Sequence, residues 1–145
     1  MTTRLREVLL IDDSVADNFL AARVVRAAGV AERVTALTGG AEALAYLGDD
    51  SAGDFPRPAL VFLDINMPGM SGWEFLAAYR ELPADQKAGV VVCMLTTSYA
   101  DEDRRRAEEI GVVSDFFSKP LTRERLLEIV REHFADGAVG DAGPP

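Results

Sequence analysis

A chain of 145 residues with one cysteine and one histidine lacks the side chains for several common kinds of site. The lone Cys93 can form no intramolecular disulfide, and its place in the apolar run Val90 to Leu95 marks it as core filler. With His133 the sole imidazole, a zinc site is excluded as well. Positive charge is also scarce: 15 Lys and Arg against 24 Asp and Glu leave a net charge of −9. Nucleic-acid binding relies on clustered cations that neutralise phosphates, so no direct nucleic-acid contact is expected. The single basic cluster, Arg104 to Arg106, is flanked by Asp101 to Asp103 and by Glu108 and Glu109, and reads as a solvated helix face. No apolar run approaches the roughly 20 residues of a membrane span. Val8 to Ile11, which follows two arginines, is too short for a signal-peptide core. The expectation is a cytoplasmic protein without membrane contact. Neither G-x-x-x-x-G-K-[ST] nor G-x-G-x-x-G occurs, so the phosphate-cradling loops of nucleotide binders are missing too.

What is present is a hydrophobic fraction of 48% arranged in short runs. Val8 to Ile11, Leu60 to Leu63, Val90 to Leu95 and Val112 to Phe117 suit strands buried on both faces, with Val34 to Leu37 a weaker fifth. Helical patterns lie between them. After the capping Thr122, Leu126, Leu127, Val130 and Phe134 recur at helical spacing, and a similar stripe runs through Leu20, Val24, Ala27 and Ala28. Ser71 and Glu74 form a Ser-x-x-Glu capping box just after the Pro68-Gly69 turn. Gly29, Gly48 and Gly111 follow helical stretches, where a left-handed stop is expected. The β-α alternation predicts an α/β domain with a five-stranded parallel sheet. It spans residues 1–136, and the small, polar, Gly/Pro-rich stretch 137–145 is expected to be a disordered tail.

Ligands of such sheets bind beyond the carboxyl ends of the strands, and here those ends are polar. The first predicted strand runs into Asp12 and Asp13, the third into Asp64, the fourth into Thr96 and Thr97, and the fifth into Ser118, Lys119 and Pro120. Carboxylates about 5 Å apart repel by ~3 kcal/mol per pair at an effective dielectric near 20, so a cation should sit among them. Magnesium fits, since it takes oxygen ligands and needs only one or two carboxylates plus a phosphate oxygen. Such a site suits phosphoryl transfer, which needs positioning and charge neutralisation more than proton chemistry. Asp64 supplies the nucleophile, expected to be ionised at neutral pH from an unperturbed carboxyl pKa near 3.9. Lys119 and the metal neutralise the transferred oxygens, and the Thr96 hydroxyl donates a hydrogen bond.

Together, Asp12-Asp13, the stretch Leu63-Asp64-Ile65-Asn66-Met67-Pro68-Gly69-Met70-Ser71-Gly72, Thr96 and Lys119-Pro120 resemble the signature of bacterial two-component response-regulator receiver domains, over roughly residues 6 to 134. The resemblance implies a flavodoxin-like (βα)5 fold, doubly wound, with strand order 2-1-3-4-5. It further implies phosphorylation of Asp64 by a sensor histidine kinase, with Mg2+ held by Asp12, Asp13, Asp64 and the backbone carbonyl of Asn66. The Lys119-Pro120 bond would be cis, and Thr96 and Phe116 would form the switch, with Phe116 turning inward from a solvent-facing position. Thr97 is bulkier than the residue many receivers carry there, which implies slow self-dephosphorylation. Leu95-Thr96-Thr97-Ser98 with Trp73-Glu74-Phe75 is similar, more narrowly, to single-domain regulators that accompany bacterial phytochromes.

On this reading the chain is a signalling module and not an enzyme acting on outside substrates. A haloacid-dehalogenase-type phosphatase would place an acid/base aspartate two residues after Asp64, where this chain has Asn66. Output would run through protein contact, either with a downstream target directly or by relay to a histidine phosphotransfer protein, and a homodimer stays open.

Overall fold

Four consecutive apolar residues in a strand put side chains on both of its faces, which remain dry only if helices cover both sides of the sheet. In the computed structural model, which describes residues 4–95 and 101–134, that condition is met. Strands β1 (Val8–Ile11), β2 (Val34–Leu37), β3 (Leu60–Asp64), β4 (Val90–Leu95) and β5 (Asp115–Ser118) alternate with helices α1 (Val15–Ala28), α2 (Gly40–Leu47), α3 (Gly72–Arg80), α4 (Asp101–Ile110) and α5 (Arg123–His133). All strand pairs are parallel, in the order β2-β1-β3-β4-β5.

The strand alternation divides the core in two. Val8, Leu10, Leu60 and Phe62 face Ala21, Ala22, Val25, Leu126 and Ile129 of α1 and α5. Leu9, Ile11, Val61 and Leu63 face Ala43, Leu47, Phe75, Leu76 and Tyr79 of α2 and α3. Phe62 meets Phe117 edge to face, ring centroids 5.6 Å apart. Each fully buried large apolar side chain contributes about 1.5–3 kcal/mol, so two such layers clamp β1 and β3 rigidly.

Local signals place the helix starts. Ser14 and Thr122 accept from Asp17 N and Arg125 N, and Ser71 and Glu74 complete a reciprocal capping box. Gly29 and Gly111 adopt φ of 69° and 84°, the expected left-handed stops, but Gly48 has φ −94° and needs no glycine-only conformation. Two further expectations shift. The fifth strand begins at Asp115, in register with Val92, while Val112 and Val113 pack against the α2/α3 side of the core before the strand starts. The buried face of α1 is Asn18, Ala21, Ala22 and Val25; of the expected stripe, Val24 and Ala28 pack partly buried against the core, but Leu20 is exposed. Val25 thus faces the sheet with the two alanines, while Val15, Phe19 and Leu20 are exposed. Thr96, Thr97, Ser98 and the tail from 137 lie outside the described residues, as does the Cys93 side chain.

Candidate functional site

The order β2-β1-β3 means that the chain leaves β1 to one side and returns to pair on its other side at β3. The helices that follow β1 and β3 therefore diverge to opposite faces, and a crevice opens where those strands end. Asp12 follows β1 directly and Asp64 closes β3; both are about 2% exposed. Asp13, one residue further, is exposed. One oxygen from each of Asp12, Asp13 and Asp64 lies within 4.8 Å of the others.

The backbone orients these carboxylates. Ser14 N donates to Asp12 Oδ1 (2.9 Å) and Asn66 N donates to Asp64 Oδ1 (3.1 Å). The buried Asn18 amide pins the Asp12 and Leu37 carbonyls at 3.0 and 3.1 Å. Behind Asp64, Gly72 closes the loop onto the strand end by donating its N–H to Ile65 O at 2.9 Å. A Cβ on Gly72 would lie 2.6 Å from Ile65 Cα and 2.7 Å from Asp64 O. Only glycine lets α3 start that close to the acidic strand end.

Lys119 reaches into the cluster from just beyond β5, and its bond to Pro120 is cis, as the resemblance implied. Its ammonium lies 2.6 Å from Asp12 Oδ2, 3.0 Å from Asp17 Oδ2 and 3.5 Å from Asp64 Oδ2. Burial disfavours the charged lysine, but hydrogen bonds to Asp12 and Asp17 and the charges of Asp12 and Asp64 outweigh it and raise its pKa. Lys119 is therefore cationic at any physiological pH. Asp64 moves the other way from the simple expectation: burial, then the charge of Asp12, pushes its carboxyl from 3.8 up to about 6, against the opposing pull of Asn66 N–H and Lys119. One ammonium among four carboxylates leaves the crevice short of positive charge, the electrostatic condition for taking up a cation.

Of the expected site residues, Asp12, Asp13, Asp64 and Lys119 come together, and Asn66 joins them through its backbone. Phe116 is half-buried against the α2/α3 side of the core, which corrects the solvent-facing position expected for it. Its carbonyl accepts from Arg125 Nη2 at 2.9 Å. Thr96 is among the residues not described. Asp17 and Asn18 were not read from the sequence as site residues. The available signal was their position one helical turn past Asp13, which reads equally well as a favourable acid in a helix's first turn. Among the described residues, no helix is long and apolar enough to cross a membrane.

Response regulator Rcp1 of Synechocystis sp. is 34% identical to this chain over 127 residues, which cover 86% of this chain and 83% of Rcp1. A structure of Rcp1 in its Mn(2+)-bound form aligns with a TM-score of 0.67 at 27% identity, over 90% of this chain and 92% of that one. A two component response regulator from Cytophaga hutchinsonii aligns with a TM-score of 0.79 at 28% identity, over 92% and 100% of the two chains. For the bacteriophytochrome response regulator RtBRR the TM-score is 0.75 at 27% identity, over 97% and 84%. With residues 8–131 matching the family model of the response regulator receiver domain, the chain belongs to that family, a signalling module of two-component systems.

Proposed function

We propose that residues 1–136 form a receiver that accepts a phosphoryl group on Asp64 from the phosphohistidine of a sensor kinase and signals by protein contact. The observation that carries this reading is the crevice itself: a buried nucleophilic carboxylate 3.5 Å from a lysine ammonium, beside two further carboxylates with oxygens close enough to share a cation. In the transfer, an Asp64 oxygen forms the O–P bond as the donor's P–N bond breaks, and the electron pair leaves with the imidazole. With a carboxyl pKa of about 6, roughly nine in ten Asp64 side chains are ionised at pH 7. No general base is needed.

Asp12, Asp13 and Asp64 offer an all-oxygen donor set that fits a hard divalent cation. In this reading they hold Mg2+ together with the Asn66 carbonyl, and Rcp1, whose Mn(2+)-bound form is known, supports a cation there. The metal supplies charge neutralisation at the phosphoryl oxygens. Lys119 provides the second cation and Asp12 keeps it in place. Thr96 and Phe116 carry the change to the surface around α4, β5 and α5 by a shift of population. The donor docks over α1, whose Val15, Phe19 and Leu20 are 71%, 60% and 52% exposed. Leu20 lines the same cleft as Asp12, Asp17 and Lys119.

Incubation with a small-molecule phosphodonor and magnesium, read by intact mass and peptide mapping, tests the assignment. One phosphoryl group on Asp64, lost in Asp64→Asn, is the expected result; a group on Asp13 or on a serine overturns it.

A further inference from the structure

We infer that Asp17 is a positioning residue for the phosphoryl chemistry, an anchor at the crevice rim that keeps the Lys119 ammonium aimed at Asp64. This rests on the phosphoacceptor reading above and goes beyond it, to a residue outside the cation-binding set. An ammonium has three N–H donors, and around Lys119 Nζ stand three carboxylates: Asp12 at 2.6 Å, Asp17 at 3.0 Å and Asp64 at 3.5 Å. Two of those three belong to the cluster with cation-ligand spacing; Asp17 does not. A cation shared by Asp12 and Asp64 draws on the charge of both, and esterification of Asp64 removes its charge altogether. Asp17 alone then keeps its full charge for the lysine.

The local structure suits that task. Asp17 N donates to Ser14 Oγ at 3.1 Å, fixing the residue in the first turn of α1. Its side chain is 45% exposed against 16% for Lys119, so it holds the ammonium from the solvent side. The contact joins positions 102 residues apart, and so ties α1 to the loop between β5 and α5. Lysine has a flexible four-carbon stem and, unlike arginine, no rigid fork to orient it. A tether on one N–H leaves the others to point at the phosphoryl oxygens. An acid in a helix's first turn is also favoured by the macrodipole, but that role alone leaves Lys119 unaffected.

The test uses the full chain and two probes. In the metal-free protein, acylation of Lys119 by an amine-selective reagent, quantified by peptide mass spectrometry, should rise about threefold in Asp17→Asn, because a charge-assisted bond that shields the amine is lost. With magnesium present, fluoroberyllate, a mimic of the aspartyl phosphate, is titrated and followed by fluorine NMR. Asp17→Asn should weaken it about five- to tenfold while magnesium affinity alone changes less than about twofold, and Asp17→Glu should recover much of the loss. In a Lys119→Met background, Asp17→Asn should have no further effect, the signature of two residues acting as one unit. Equal losses with and without Lys119, a parallel fall in magnesium affinity, or unchanged Lys119 acylation would each overturn the role given to Asp17. The acylation result needs no Lys119 variant and decides the matter even where that variant fails to fold. If the unaltered chain binds no fluoroberyllate, the phosphoacceptor reading itself fails, an outcome separate from any result on Asp17.

Discussion

Glu7 and Asp64 are carboxylates at opposite ends of the same sheet, 0% and 2% exposed, and they are held in opposite ways. Glu7 precedes β1. Its Oε2 accepts from the Thr35 hydroxyl at 2.6 Å and from the Tyr46 hydroxyl, and Arg33 lies 3.6 Å from Oε1. Burial, together with the Glu7 hydrogen bond, raises the Tyr46 pKa, so the phenol stays a donor. The single carboxylate of Glu7 is met by two hydroxyl donors and one peripheral cation. At the other end Asp64 faces Asp12, and a single lysine is divided among three acids. The first arrangement joins β1, β2 and α2 through one oxygen, while Glu7 Oε1 is buried with no hydrogen bond and only the Arg33 guanidinium near it. The second is short of positive charge, and that deficit favours the entry of a cation. Burial of a carboxylate is therefore not itself a sign of function; what surrounds it decides.

The comparison breaks most sharply under substitution. Asp64→Asn should lower phosphoryl incorporation by more than about a thousandfold, as loss of a nucleophile does, whereas Glu7→Gln should leave it near normal; intact mass after treatment with a phosphodonor reads both. Stability should respond the other way round. Glu7→Ala leaves the Tyr46 and Thr35 hydroxyls without their acceptor and should cost about 2–4 kcal/mol, measured by urea unfolding. Asp13→Asn, at an exposed position, should change stability by less than about 0.5 kcal/mol. A destabilised Asp13→Asn would remove the distinction between the two ends.

Acidity sharpens it further. Asp64 has an unfolded pKa near 3.8 and a folded one of about 6, so between those values the folded state keeps a proton that the unfolded chain has released. Folding stability without metal should accordingly fall as pH rises across that window and level off above it. Magnesium competes with the same proton, so its affinity should rise with pH up to about 6 and then flatten. Both slopes should be lost in Asp64→Asn and kept in Glu7→Gln, as seen in melts and metal titrations at stepped pH. The smallest effect concerns the surface beside the reactive end: Phe19→Glu should slow transfer from a cognate kinase several-fold, by about 1 kcal/mol of lost apolar contact. Phosphorylation by a small donor and the melting temperature should hold. Equal slowing with both donors would argue against docking over α1.

Much of this was legible beforehand because its causes are local. The runs at Val8 and Leu60 dictate strands covered on both faces, the Ser71-Glu74 box dictates where α3 starts, and each strand-end Asp or Lys is adjacent in sequence to the strand that carries it. Periodicity served only in part on α1, where Val24 and Ala28 pack against the core but Ala21, Ala22 and Val25 take its centre and Leu20 is left outside, since spacing alone does not say which of two neighbouring stripes faces the sheet. Phe116, which the resemblance placed facing solvent, is half-buried, because the depth of a side chain depends on packing partners distant in the sequence.

By itself, then, the sequence determined the α/β alternation, the acidic strand ends, and the oxygen-bearing residue types suited to a hard cation. The tertiary structure decided which acids share the lysine. Only the β2-β1-β3 order sets Asp12 and Asp64 side by side, and only the return of the chain after β5 brings Lys119 to Asp17, 102 residues away. It also set the proton affinity of Asp64, because a pKa records burial and neighbouring charge, and neither exists until residues distant in the chain have packed together.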